Sequence, residues 1–218
     1  ALAAGDPVLA VIRGTAVNHD GPSSGLTVPY GPAQQMVLQE AVERSGVDPL
    51  EVSYLEAHGT GTVLGDPIEV GAAAAVYCQG RTADNPLHLG AVKSNVGHME
   101  VAAGAVSLIK MVLALQHRAL PPHLHFERPN PDIDLDAHAM VIDTEKVAWE
   151  TPGHARIAAV SGFGLGGTNA HVILEEAPAR PEPVASTVPD RPKHLLPLAA
   201  RDLEGLKALA SNLAATLE

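Results

Sequence analysis

Apolar positions along the chain fall into short β-branched runs and helix-spaced stretches that alternate, with glycine- and proline-rich breaks between them. The run Val8 to Val17 predicts a strand that ends in the turn formers NHDGPSSG. From Pro32 to Ser45 the residues Val37, Leu38, Ala41 and Val42 recur at helical spacing, and Gly46 stands where a C-cap glycine belongs. A second strand, Val52 to Ala57, leads into HGTGT. Asp66, Pro67 and Glu69 then have the spacing of a capping box with proline at the first helical position, which predicts a helix through the small-residue body IEVGAAAAVYC. A strand from Leu87 to Val92 and a loop KSNVG precede a helix from His98 to His117, whose expected inner face holds Val101, Ala105, Leu108, Ile109, Val112 and Leu115. The segment PPHLHFERPNPDIDL reads as an extended surface excursion. Strands are expected at Met140 to Ile142 and Arg156 to Ser161, and again in AHVILEEA, which alternates as a strand does and a helix does not. Pro178, Pro181, Pro183, Pro189 and Pro192 give the next stretch linker composition, and a short strand from Leu195 and an amphipathic helix carrying Leu203, Leu206, Leu209, Ala210 and Leu213 close the chain. Strands alternating with helices place the chain in the α/β class.

Composition narrows the function. With 46% hydrophobic residues in 218, most of the chain is expected to fold around a core. A balance of 14 basic against 25 acidic residues offers no footprint for a phosphate backbone, so nucleic acid is not an expected partner. Cys78 is the only cysteine; no internal disulfide is possible, and a cytosolic setting fits. No membrane span and no secretory leader are expected from the apolar runs.

Candidate chemistry sits in three clusters, each following an expected strand: EAHGTGT with His58, Thr60 and Thr62; KSNVGH with Lys93 and His98; and SGFGLGGTNAH with Phe163 and Gly164. All three would meet at the carboxyl ends of one sheet, where α/β folds place their sites. His58 alone is ambiguous between a structural hydrogen-bonder and a catalyst. His98, expected at a helix start, is set to stay neutral and donate to a developing oxyanion. Lys93 either tunes His98 or is a solvated loop lysine. Two neutral imidazoles converging on one point suit enolate chemistry next to a thioester. The glycine string matches GxGxxG by spacing, but a strand follows it, which argues against a dinucleotide site. A glycine turn that brings backbone N–H groups near a substrate, with Phe163 as a movable wall, competes with a plain hairpin holding a core phenylalanine. HGTGT lacks the lysine of a phosphate loop, and His117, His123, His125 and His138 lack the partners of a metal site, so no metal is expected.

Together EAHGTGT, KSNVGH and GFGLGGTNAH resemble the C-terminal signatures of β-ketoacyl synthases, and in particular of ketosynthase domains in modular type I polyketide synthases. The resemblance extends from AVIRGTAVNHDG through DPIEVGA, AAGAVSLIKMVLAL and LPPHLHFERPNP to HVILEEAP. It implies the layered αβαβα thiolase-like fold, of which this chain supplies the C-terminal half, with a mixed five-stranded sheet flanked by helices. The implied organisation is a ketosynthase portion over 1–178, a linker over 179–194 and the start of a ketosynthase–acyltransferase linker over 195–218. By the same resemblance, His58 and His98 assist decarboxylation of a malonyl-type extender, Lys93 organises the second histidine, Thr60 and Thr62 bind pantetheine, and Phe163 with Gly164 gates the acyl pocket. The family's nucleophilic cysteine, in a TACSS-like elbow, lies upstream of residue 1. Cys78 does not match it and reads as a buried structural thiol, so the isolated chain is expected to be inactive and to expose an apolar face. Implied partners are acyl carrier protein with its phosphopantetheine arm, the N-terminal ketosynthase half, an acyltransferase domain and, in the full-length protein, a second copy in a homodimer; no covalently bound cofactor is implied. A loading-type ketosynthase that only decarboxylates and a non-catalytic scaffold or acyl-binding remnant are the alternatives.

Overall fold

The computed structural model describes residues 1–25, 27–179 and 195–217. The chain divides into two compact units, Ala1–Ala179 and Arg180–Glu218. The first is built on a mixed sheet of six strands in the order β1 (Ala10–His19), β8 (Thr168–Glu176), β7 (Ile157–Phe163), β2 (Val52–Glu56), β3 (Leu87–Gly90) and β5 (Met140–Val141). β7, β2, β3 and β5 run parallel, and β8 is antiparallel to both β7 and β1. A separate two-stranded ribbon pairs β4 (Ala119–Leu120) with β6 (Val147–Ala148). The sheet therefore has six strands where five were expected, because β1 joins its edge through a long antiparallel ladder to β8.

Helices cover both faces, as a parallel sheet requires. On one face lie α1 (Gly31–Ser45) and α2 (Gly65–Tyr77), closing a core with Val37, Leu38, Ala41, Val52, Leu55, Ala73, Tyr77, Leu87 and Ile173. α1 ends as its sequence predicts, with Gly46 at φ 65 donating its N–H to the Glu43 carbonyl. On the other face α4 (Ala103–His117) packs with Met111, Ala114 and Leu115 against Tyr54, Ala158, Val160, Leu174 and Trp149. Trp149 is buried, and its Nε1–H donates to Ser53 Oγ at 2.7 Å.

Four local expectations need correction. KSNV is a one-turn helix, α3 (Lys93–Val96), not a loop. The helix expected from His98 begins at Ala103, after a 3-10 turn at Glu100–Ala102. Its buried side is Ala103, Ser107, Met111, Ala114 and Leu115, whereas Val101, Ala105 and Ile109 are exposed. A helix apolar on all sides gives its periodicity no power to choose a face. For the same reason Glu100–His117, at mean hydropathy 1.2 over 18 residues, reaches the length and composition of a membrane-crossing helix, contrary to the sequence reading. Here part of it packs on the sheet, and Lys110 is drawn to a buried carboxylate.

The expected linker falls almost entirely on residues 180–194, outside the described residues. In the second unit no strand forms at 195–200; α5 (Leu203–Leu217) follows directly, with Asp202 Oδ1 accepting from Gly205 N at 2.8 Å at its start.

One buried polar group ties these layers together. The His171 ring on β8 is fully buried, with Nε2 at 2.6 Å from the Tyr77 hydroxyl of α2 and Nδ1 at 3.0 Å from Ser161 Oγ of β7. Burial holds its pKa down to about 3, so the ring is neutral and both neighbouring hydroxyls are needed to satisfy it. An unfolded histidine titrates near 6.5 and takes up a proton that the folded ring refuses. This contribution to stability is complete above about pH 6.5 and is lost as pH falls toward 3, by up to about 1.4 kcal/mol per pH unit. Urea unfolding at pH 7 and pH 5 is expected to show this loss, and the pH slope should be smaller in His171→Gln; an unchanged slope would mean that the ring is protonated in the folded state.

Candidate active site

β2 and β3 stop in register, with Glu56 opposite Gly90, and Glu56 is also opposite Val160 of β7. The three clusters picked out in the sequence therefore leave the sheet at one edge. The Ala57 N–H donates to the Gly90 carbonyl at 2.8 Å and carries the ladder one step beyond the strands. Gly59 has φ +48, and a Cβ there would stand 2.7 Å from the Ala91 Cβ, so the HGTGT loop can rest on the β3–α3 connection only as glycine.

This contact brings the two histidines together. The His58 and His98 ring centroids are 5.6 Å apart and edge-on at 82°, and the Phe163 ring lies 5.8 Å from His58. Burial, reinforced by Lys93 and His98, holds His58 down to about 4, so it is uncharged at neutral pH. His98 does not sit on the first turn of a long helix, and the dipole argument does not apply to it. Instead its Nδ1 accepts the Glu100 N–H at 3.0 Å, which leaves the proton of the neutral ring on Nε2.

Behind the pair is a layer of carboxylates. Glu69 is fully buried; Oε1 accepts the His58 N–H at 2.7 Å and Oε2 the Gly59 N–H at 2.9 Å. Asp66 Oδ1 accepts the Gly61 N–H at 3.1 Å. The expected capping box is thus not formed: both carboxylates turn away from their own helix and hold the preceding loop. Burial pushes Glu69 up to about 7 against the pull of its two donors and of Lys93. Lys93 itself, half-buried on α3, is pulled down by burial and held up by Glu69, Glu56 and Asp66. It is the cation of a carboxylate cluster rather than a solvated loop lysine.

The remaining named residues have specific places. Thr62 Oγ1 accepts the Gly65 N–H at 3.0 Å and lies 3.4 Å from Thr60 Oγ1, both side chains at the exposed end of the loop. Phe163 is the last residue of β7. The next four residues form a tight turn in which the Gly164 N–H donates to the Thr168 carbonyl at 2.7 Å, so this N–H is committed within the hairpin. Cys78 is half-buried at the far end of α2, about 20 Å along that helix from the HGTGT loop at 1.5 Å per residue. Burial raises its thiol pKa. Among the described residues no group of three or more His, Cys, Asp or Glu side chains is placed to hold a metal ion. The excursion after Pro122 is more than surface: His123, Phe126, Arg128 and Ile133 wall a cavity of about 200 Å³ on the reverse of the HGTGT loop.

Sequence reasoning missed Glu69 and Asp66 as loop anchors, and missed a buried pair between Glu56 and Lys110. The signal for the pair was present, since Lys110 is the one charge in the apolar run AGAVSLIKMVLAL, and a lone charge in such a helix needs a buried partner.

Comparison with known proteins places the chain in a family. Residues 9–127 match the β-ketoacyl synthase C-terminal domain and residues 129–218 the ketoacyl-synthetase C-terminal extension. The chain belongs to the β-ketoacyl synthase family, as the C-terminal domain of a ketosynthase. Within that family its relatives are polyketide synthases. It is 52% identical over 217 residues to the spectinabilin polyketide synthase system protein NorB of Streptomyces orinoci, covering 98% of this chain and 10% of that one. It is 50% identical over 210 residues to erythronolide synthase EryA3 of Saccharopolyspora erythraea, covering 96% and 7%. Among solved structures, the oxazolomycin ketosynthase domain OzmH KS7 of Streptomyces albus superposes with a TM-score of 0.84 at 44% identity, covering 99% of this chain and 36% of that one. Ketosynthase twelve of the bacillaene synthase of Bacillus amyloliquefaciens gives 0.85 at 36% identity, again 99% and 36%. The chain thus spans a tenth or less of these two synthases and about a third of the solved ketosynthases, whose thiolase-like fold it shares.

Removing the Glu69 carboxylate orphans two loop donors. Glu69→Ala is expected to lose about 1–3 kcal/mol for each N–H that no water reaches, and Glu69→Gln, which keeps one acceptor, should fall between it and wild type in urea unfolding. Equal stability in all three would show that the carboxylate does not hold the loop.

Proposed function

We propose that this chain is the histidine-bearing portion of a polyketide ketosynthase that acts as an acyltransferase by decarboxylative Claisen condensation. The observation that carries the reading is the edge-on pair of His58 and His98 beside Phe163, with His58 kept uncharged. A malonyl-type thioester on the phosphopantetheine of acyl carrier protein would enter past Thr60 and Thr62. Loss of carbon dioxide leaves the electron pair of the broken C–C bond as an enolate, whose oxygen gathers the negative charge. Two neutral imidazoles, each donating one N–H, stabilise that oxygen in a partly buried site, where such hydrogen bonds are strongest. The α-carbon then attacks the carbonyl of an acyl thioester on a cysteine in the N-terminal ketosynthase half, the C–C bond forms, and the cysteine leaves as thiolate. Lys93 supplies positive charge beside the pair, and Phe163 closes the acyl side.

Further parts of the proposal are an acyltransferase domain as neighbour, a homodimeric full-length protein and a cytosolic setting. The N-terminal half is proposed to cover the exposed apolar strip of Val101, Ile109 and Leu113, exposed at 103%, 58% and 48%. A strip of this kind marks an interaction surface.

In the full-length synthase, His58→Ala and His98→Ala are each expected to slow release of carbon dioxide from a malonyl thioester by about 100-fold or more; retention of wild-type rates would remove the histidines from the chemistry. The isolated chain, incubated with an acyl-pantetheine thioester, should show no acyl increment in intact-protein mass spectrometry. A stoichiometric increment on Cys78 would relocate the nucleophile.

A further inference from the structure

The loops that carry His58 and Lys93 come from different strands, and a second, deeper device fixes their separation. Glu56 is the last residue of β2, two positions before His58, and its side chain is fully buried. Its Oε1 accepts the N–H of Val92, the residue before Lys93, at 2.5 Å. Its Oε2 accepts from Lys110 Nζ of α4 at 2.6 Å, with the Tyr54 hydroxyl 3.1 Å from that Nζ and 3.4 Å from Oε2. Gly90 makes room for this arrangement, since a Cβ there would lie 2.0 Å from the Tyr54 hydroxyl oxygen. Three elements, β2, the β3–α3 connection and α4, therefore meet on one carboxylate.

Stability is a poor explanation for such a pair. Desolvating a carboxylate and an ammonium costs several kcal/mol each, and neutral side chains of similar volume commonly do as well or better in a core. An apolar pair at 56 and 110 would serve the packing, but it would leave the Val92 N–H without an acceptor and remove one of the three carboxylates that support the charge of Lys93. Burial raises the Glu56 pKa, while Lys110, Val92 and Lys93 oppose that rise.

We infer that Glu56 and Lys110 are a positioning pair for decarboxylation, holding the His58 loop and the Lys93–His98 segment at their working separation from beneath. Neither residue touches the reacting atoms. The inference rests on the decarboxylative reading above and adds to it the element that sets the geometry of the two imidazoles.

The test is steady-state decarboxylation of a malonyl-pantetheine thioester by the full-length synthase and its Glu56→Gln/Lys110→Met double variant, with thermal unfolding of both. The double variant should keep a melting temperature at or above wild type and a KM within two-fold, while kcat falls ten-fold or more. Glu56→Asp keeps both charges, but its side chain is one methylene too short to reach Val92 N and Lys110 Nζ together. It should lose kcat at least five-fold with KM unchanged, and it decides the matter if the double variant does not fold. A kcat within two-fold of wild type in the deciding variant, or parallel losses in kcat, KM and melting temperature, would overturn the positioning role. An inactive wild-type synthase would instead overturn the decarboxylative reading, and this inference with it.

Discussion

The site depends on where three parallel strands stop. β2, β3 and β7 are locked side by side by hydrogen-bond ladders that fix their relative heights, and the register sets Glu56 opposite both Gly90 and Val160. A register slip of one residue would turn every side chain on the strand to the opposite face. It would break the core contacts of Leu55 and Leu87 and also separate the loops. The chemistry at the edge thus inherits its precision from the apolar core, which tolerates only one alignment.

Above that edge the electrostatics are layered. The imidazoles lie outermost, Lys93 and the Glu69 and Asp66 carboxylates lie behind the HGTGT loop, and the Glu56–Lys110 pair lies deepest. Carboxylates hold backbone N–H groups at each buried layer: Glu69 holds those of His58 and Gly59, and Glu56 holds that of Val92. The hydrogen-bond acceptors that hold the loops are thus on their inner side. The outer side is left to the two imidazoles, of which His58 is kept uncharged by burial.

Local sequence showed much of this and failed at identifiable points. The six strands of the main sheet were legible because β-branched runs bounded by glycine and proline signal them strongly, whereas the two-residue strands β4 and β6 were not and the strand expected from Leu195 does not form; the reading of AHVILEEA as a strand argued against a dinucleotide loop. The direction in which Asp66 and Glu69 turn was not legible, since the same spacing serves a helix cap and a grip on the loop before it. The inner face of α4 was not legible either, because a helix apolar all round holds no record of which side meets the sheet. His58, His98 and Phe163 were found through motifs, and the folded chain adds their proximity, which no single motif contains. Lys110 could have been found as a charge out of place.

The ladder between β1 and β8 also bears on how this molecule is made. Within this unit β1 is synthesised well before its paired strand β8, which ends at Glu176. At about 5–20 residues per second, β1 waits on the order of ten seconds with its edge open while the helices and parallel strands between them are synthesised. Through that interval Ile12 and Val17 are on an unpaired strand, and the last step that closes the sheet is also the one that sets Phe163 and its hairpin in place. Phe163 is therefore among the last residues of this unit to acquire its surroundings.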